Sequence, residues 1–295
     1  MKSQLEEGSF VIVDSHVHVI SRDEARYPHA PVGGHQSDWS KKRPVNHDEL
    51  VRAMDDAGVD AAVVVQASTI YGHDSSYVVE AVKAHPDRFV GVYSIDALAD
   101  DAVEQIKRWT GEGLSGLRLF TTGTTLPGQQ SWLGDPASYP AWAYAEEQGI
   151  SLCLQMTMEG LPVLRGLLER FPKAVVLLDH LARPDPSEGP PFAAVQPLFD
   201  MAAFPGVHLK LTNRTLASAA QGKSDTVTFV KTVVEKFGAE RIAWGSNFPA
   251  AEGAMGELVA EAKAALAPLP AAQRDLIFAG TARRIYPALG ALAHA

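Results

Sequence analysis

Cysteine is nearly absent from this chain: Cys153 is the only one in 295 residues. No intrachain disulfide can form, so the fold must be held by its core, and a reducing compartment is compatible. Cys153 itself sits in an apolar stretch and is expected to fill core space. No uninterrupted apolar run approaches the roughly 18 residues that a membrane span needs. Residues 1–10 are polar and acidic, without the apolar stretch of a secretion signal. A soluble cytoplasmic protein is expected. Positive charge is also short, with 26 Lys and Arg against 35 Asp and Glu and a formal net charge of −9. That balance argues against nucleic acid or anionic membranes as partners, and any anion site must be built from a few placed arginines. Linkers and low-complexity tracts are missing too, so one domain covering 1–295 is expected.

What is present is a repeated unit. Short apolar runs with strand character alternate with stretches of helical period. Strands are expected at 10–13, 61–66, 89–95, 116–120, 151–155, 174–179, 207–211 and 241–244. Helices are expected at 48–57, 75–84, 99–111, 139–148, 161–171, 192–202, 225–237 and 252–266. Asn46 with Glu49 three residues on predicts a capping box for the first helix, and Gly58 its stop. Runs such as Ala-Ala-Val-Val-Val are apolar throughout, as strands are when helices cover both faces of a sheet. Eight such units in about 270 residues predict a (β/α)₈ barrel. The runner-up, a doubly wound sheet, would carry a glycine-rich phosphate loop after its first strand, and residues 14–19 are nothing like one. Three long connections, 21–46, 121–137 and 181–191, follow the first, fourth and sixth strands, so they are expected to wall the pocket. Residues 271–295 are expected to form extra helices packed outside the barrel.

The strand ends carry the chemistry. The first runs into Asp14-Ser15-His16-Val17-His18, and residues two apart on a strand share a face, so His16 and His18 can enter one pocket. Later strand ends add Arg118, Gln155, His180, Lys210 and Asn247. Three histidines could hold one divalent zinc or manganese ion in an open catalytic geometry. Against this, the fourth, fifth and eighth strands offer Arg118, Gln155 and Asn247 rather than further ligands, and a guanidinium would repel a dication. Arg118 lies inside an apolar strand, which is costly unless an anion meets it; the plain alternative is an ion pair with a buried carboxylate such as Asp96. Arg183 and Arg214 fall a few residues past strand ends. Converging arginines suit a carboxylate, which they can grip in bidentate fashion. Lys210 is either an anion holder or the partner of a neighbour. Tyr71, Gly72, His73 and Asp74 form a polar loop after the second strand that could touch ligand.

Together these segments resemble the amidohydrolase superfamily, in the branch around 2-pyrone-4,6-dicarboxylate lactonase and the sugar-acid lactonases. The likeness runs through Asp14 to His18, Val65-Gln66-Ala67-Ser68, Gly116 to Phe120 and Leu178-Asp179-His180-Leu181-Ala182-Arg183-Pro184. It continues through Trp244-Gly245-Ser246-Asn247-Phe248-Pro249 and Gly280-Thr281-Ala282-Arg283-Arg284-Ile285-Tyr286. The resemblance implies a hydrolase that opens a lactone of a small acidic substrate without a metal. His16, His18 and His180 would polarise the carbonyl, Arg118, Arg183 and Arg214 would clamp carboxylates, and Ser68, Gln155 and Lys210 would complete the substrate contacts. One position departs from the pattern: the eighth strand of the family ends in an aspartate that acts as general base, and here Asn247 stands there. An amide cannot accept a proton at neutral pH, so Asn247 can only orient an oxygen. Either a histidine is the base, or the residue was substituted to trap substrate, or the reaction needs no hydroxide. Lactone isomerases of the same branch carry asparagine there, and intramolecular acyl transfer gains effective molarities on the order of 10⁵ M or more. Metal-dependent hydrolysis or decarboxylation, and a non-catalytic binding barrel, stay open as alternatives.

Overall fold

The computed structural model describes residues 11–292. Residues 1–10, including the first part of the strand expected at 10–13, and 293–295 lie outside the described residues. Eight parallel strands follow one another in chain order around a barrel: β1 Val13–Val17, β2 Ala61–Val65, β3 Phe89–Ser94, β4 Gly116–Phe120, β5 Ser151–Gln155, β6 Val176–Leu178, β7 Val207–Thr212 and β8 Ile242–Gly245. Helices between the strands form the outer layer, so the architecture is a (β/α)₈ barrel.

The two-residue period of the strands sorts their side chains. Ala62 and Val64, Leu117 and Leu119, Leu152 and Leu154, and Trp244 face out and join the core shared with the helices. Val63 and Val65, Val90 and Val92, Cys153, Leu177 and Ala243 face in. The inner cluster also contains Ala279, Ala282, Tyr286 and Leu289 of the C-terminal tail. The tail is therefore more than an external pack: it closes the floor of the barrel, with the Tyr286 hydroxyl 3.1 Å from Cys153 Sγ.

The seam between β8 and β1 needs its own explanation. Past the end of β8, Asn247 N–H donates to His16 O and His18 N–H to Phe248 O, both at 2.9 Å. The Asp14 carboxylate stitches the same seam, its Oδ1 accepting from the amides of His16 (3.0 Å) and Ser246 (2.9 Å). Gly245 permits the close approach, because a Cβ there would stand 2.7 Å from His16 Cβ.

Local signals explain the helices. The Asn46 side chain accepts from Glu49 N–H, the Glu49 carboxylate accepts from Asn46 N–H, and Gly58 ends the helix His47–Ala57 in the left-handed region at φ 68°. The helix expected at 192–202 is instead a short helix, Gln196–Asp200, flanked by two 3₁₀ turns. Short helices Asp38–Lys42, Ser68–Tyr71 and Asn213–Ala219 stand in connections after β1, β2 and β7. No helix among the described residues is long and apolar enough to cross a membrane.

Candidate active site

Because the inward-facing residues of the strands line up in rows, the polar residues at their C-terminal ends meet over the apolar floor. Asp179 is the centre of this layer. It continues the inward row of Leu177 on β6, and its fully buried carboxylate lies 3.2 Å from Lys210 Nζ, 3.2 Å from Arg118 Nε and 3.5 Å from His16 Nδ1. Burial by itself would raise this acid, but Lys210, His16 and Arg118 together outweigh it and hold the carboxylate well below the usual range. The partner of Arg118 is thus Asp179 and not Asp96. Lys210 is fully buried, stands 3.4 Å from Cys153 Sγ, and does not line the cavity above. The expectation that it holds substrate gives way to the neighbour pairing, because its ammonium is occupied by Asp179.

Above this layer opens a cavity of about 530 Å³. Its lining includes His18, His180, Arg118, Gln155, Arg183, Arg214, Asn247 and Ser68, eight of the ten residues expected to act in catalysis or hold substrate. His16 lies behind them, its ring centroid 4.9 Å from that of His18 and 5.0 Å from that of His180. Burial, first of all, keeps all three rings neutral. His16 is lowered to about 4, and His18 and His180 are pushed well below the ordinary imidazole value, with neighbouring rings and Arg118 adding to the effect.

Neutral rings have distinct nitrogens, and their partners decide which one carries the proton. His18 Nδ1 lies 2.7 Å from Val65 O. A carbonyl can only accept, so Nδ1 carries the hydrogen and Nε2 presents a lone pair. His18 therefore cannot donate from Nε2 to a substrate carbonyl; it suits a proton acceptor. His180 Nδ1 lies 2.7 Å from Thr212 Oγ1, and a hydroxyl donating there leaves the ring proton on Nε2. The two histidines can thus carry opposite roles, a distinction that residue identity alone does not reveal.

His180 and Arg183 are delivered by unusual backbone. His180, Leu181, Ala182 and Arg183 all have φ between 54° and 57°, a left-handed turn of four non-glycine residues. Such residues cost about 1–2 kcal/mol each, so the turn persists only because its surroundings fix it; Leu181 and Ala182 are completely buried. The turn aims Arg183 at the cavity rim, where burial and then the neighbouring Arg214 and Arg118 lower its guanidinium to about 10. Its buried Nε has no hydrogen-bond partner, and neither does Ser68 Oγ. Arg118 is braced by Gln66 O at 2.9 Å and Gln155 Oε1 at 3.3 Å. Asn247, also left-handed at φ 61°, lines the same cavity.

Some site residues were not singled out in the sequence. Trp39, from the short helix in the β1 connection, lies 5.5 Å from the His18 ring and lines the cavity with His35, while Phe120 and Thr124 contribute from β4 and its loop. The walls meet where Thr125 Oγ1 donates to Val32 O at 2.6 Å. Of the Tyr71 to Asp74 loop, none lines the cavity; the Tyr71 hydroxyl accepts from Ser21 N–H and His73 pairs with Ser94.

The spacing of the donors decides whether they suit a metal. The three site imidazoles do not bring three ligand atoms within 4.8 Å of one another; among the described residues only His47, Asp48 and His85, outside the cavity, do so. The Asp179 carboxylate is committed to two cations, and the charge of Arg118 is felt by the imidazoles. These residues do not fit a metal centre as they stand.

A (β/α)₈ barrel with histidines on β1 and after β6, and arginines around a cavity at the strands' C-terminal ends, defines a class of barrel enzymes that build sites on that rim. The Amidohydrolase family (Amidohydro_2) matches residues 13–288, and the chain belongs to it. L-fucono-1,5-lactonase of Burkholderia ambifaria is 26% identical over 195 residues, 65% of this chain and 66% of that protein, just short of two thirds of the relative's length. Among solved structures, an amidohydrolase from Burkholderia multivorans with bound zinc has a TM-score of 0.76 at 22% identity, over 94% of this chain and 99% of that one. A provisional 2-pyrone-4,6-dicarboxylic acid hydrolase from Pseudomonas putida has a TM-score of 0.75 at 22% identity, over 95% and 98% of the two chains. Both share the fold.

Proposed function

We propose that this chain is a lactonase that opens the cyclic ester of a small carboxylated substrate, and that it does so without a metal. The observation that carries the proposal is the convergence of Arg118, Arg183 and Arg214 with His18 and His180 on one cavity. Three guanidinium groups, one with a buried unpartnered N–H, favour an anionic occupant. The lactonase named above supports the reaction type. The metal-free reading is supported by the spread of the imidazole donors and the commitment of Asp179 to cations.

In the proposed reaction Arg183 and Arg214 hold the substrate carboxylate. The Nε2 proton of His180 and the free N–H groups of Arg118 face the ring carbonyl and stabilise the oxyanion, as fixed donors do in other acyl transfers. Asn247 orients a water, and His18 Nε2 takes its proton as the oxygen attacks the carbonyl carbon. Collapse of the tetrahedral intermediate breaks the ring C–O bond, and His18 returns the proton to the departing ring oxygen. The product is the open hydroxy acid.

Asn247 favours a second reading, lactone isomerisation, in which a substrate hydroxyl replaces water. The two are separated by a panel of carboxylated lactones followed by acid release and by NMR. Hydrolysis releases acid with ring opening, whereas isomerisation gives a new ring and no acid. Turnover of none of them would remove both readings in favour of a binding barrel. Asn247→Asp adds the base that asparagine lacks; raised hydrolysis fits a lactonase, while loss of activity fits a reaction specific to asparagine.

A further inference from the structure

A second cluster stands on the helical shell, outside the cavity. His47 and Asp48 open the helix His47–Ala57, and His85 caps the C-terminal end of Ser76–Ala84. Three atoms converge: His47 Nδ1 and His85 Nε2 are 3.1 Å apart, and Asp48 Oδ1 lies 3.2 Å from the first and 2.9 Å from the second. A tetrahedral zinc ion, with bonds of about 2.0–2.1 Å, spaces its ligand atoms about 3.3 Å apart. The triangle therefore matches one face of such a polyhedron to within a few tenths of an ångström.

Without an ion one ring N–H can serve the triangle, as when His85 Nε2 donates to Asp48 Oδ1 at 2.9 Å. The His47 Nδ1 lone pair then faces the same carboxylate oxygen at 3.2 Å, a contact that a bound cation would turn into ligation. The surroundings also suit ligation. His47 Nε2, the nitrogen remote from the triangle, faces Glu80 Oε1 at 3.8 Å, longer than a hydrogen bond but on the side where ligating histidines often have a carboxylate partner. Glu80 is held from behind by Arg26 at 2.7 Å and by the Tyr27 hydroxyl. The rings are fixed by edge or tilted contacts, His85 on Phe89 and His47 on Tyr77. The two histidine side chains are mostly covered, at 16% and 22% exposure, while Asp48 at 58% leaves a path to solvent.

We propose that His47, Asp48 and His85 form a binding site for a divalent transition ion of the zinc class, with water in the fourth position, that clamps the two helices together. Imidazole with carboxylate suits such ions better than magnesium or calcium, which prefer oxygen ligands. The site is separate from the proposed active site, and its occupancy acts on stability.

The test uses the full chain, stripped with chelator and titrated with Zn²⁺ alone. The wild type is expected to bind one equivalent that is lost in both His85→Ala and Asp48→Asn and kept in His18→Gln, with a zinc-dependent rise in Tm that follows the same pattern. Asp48→Asn changes an exposed side chain without changing its size, which guards against a misfolded His85 variant. Crystals soaked in Zn²⁺ should show an anomalous peak between the three donors. Equal zinc stoichiometry and Tm shift in wild type and both site variants, or no peak there at saturating zinc, would overturn the proposal.

Discussion

At the scale of single residues, one hydrogen bond assigns a role that the sequence leaves open. His18 and His16 share a motif, yet only His18 lines the cavity, and its bond to Val65 O leaves on Nε2 the lone pair that the proposed base needs. His18→Gln is expected to lower kcat by about 10²–10⁴ with a much smaller change in KM, since general base catalysis is typically worth that much; steady-state kinetics on the best lactone checks it. The pH profile follows from the same burial. In the proposed mechanism the reactive form is neutral His18, whose pKa burial holds well below 6.5, so kcat/KM should not fall as pH drops through 6.5 and should decline only at more acidic pH. An acid limb centred near 6.5 would indicate an exposed base elsewhere. Asp179 shows what the sequence hid. It was visible as the end of a strand, but its importance comes from pairing across to Lys210, one row beyond the Leu177 to His208 and Leu178 to Leu209 register. A lysine and an aspartate at the ends of adjacent inward rows were the available signal.

At the scale of elements, the left-handed turn after β6 is where local propensity is overruled. Four residues from His180 to Arg183 hold positive φ without a glycine, and nothing in Asp-His-Leu-Ala-Arg announces it. The strands were legible because continuous apolar runs admit few alternatives when buried on both faces, and β4 and β5 begin and end where the pattern places them. Trp39 was not legible, because the long β1 connection has no period to read and its aim depends on contacts with other loops. Strain at the turn gives a prediction. Ala182→Gly removes the Cβ penalty of about 1–2 kcal/mol while adding about 0.4–1 kcal/mol of unfolded-state entropy, so denaturant melts should show stability unchanged or raised by up to about 1.6 kcal/mol. Ala182→Val should instead destabilise markedly, as a branched side chain fits neither the backbone nor the buried position.

At the scale of the whole molecule, a charged layer lies between an apolar floor and an open rim. The Asp179, Lys210 and Arg118 cluster joins β4, β6 and β7 beneath the cavity. Removing one partner of such a buried set leaves uncompensated charge, which typically costs about 3–5 kcal/mol. Lys210→Met should show that loss in chemical denaturation, and Lys210→Met with Asp179→Asn should recover part of it. Full additivity of the two single losses would mean that the groups are not coupled. The barrel, its rim and the convergence of histidines with arginines were readable from the order of strand ends. The floor was not, since the tail's role depends on Tyr286 meeting Cys153 133 residues away in the chain.

Most direct for the central claim is a comparison of kcat/KM for a carboxylated lactone and its uncharged methyl ester, in wild type and in Arg183→Met. The wild type should prefer the carboxylate by at least about tenfold, the effect of roughly 1.4 kcal/mol from a charge-assisted contact, and the variant should lose most of that preference while still turning over the ester. Equal rates on both substrates in the wild type, or an unchanged preference in the variant, would contradict the account.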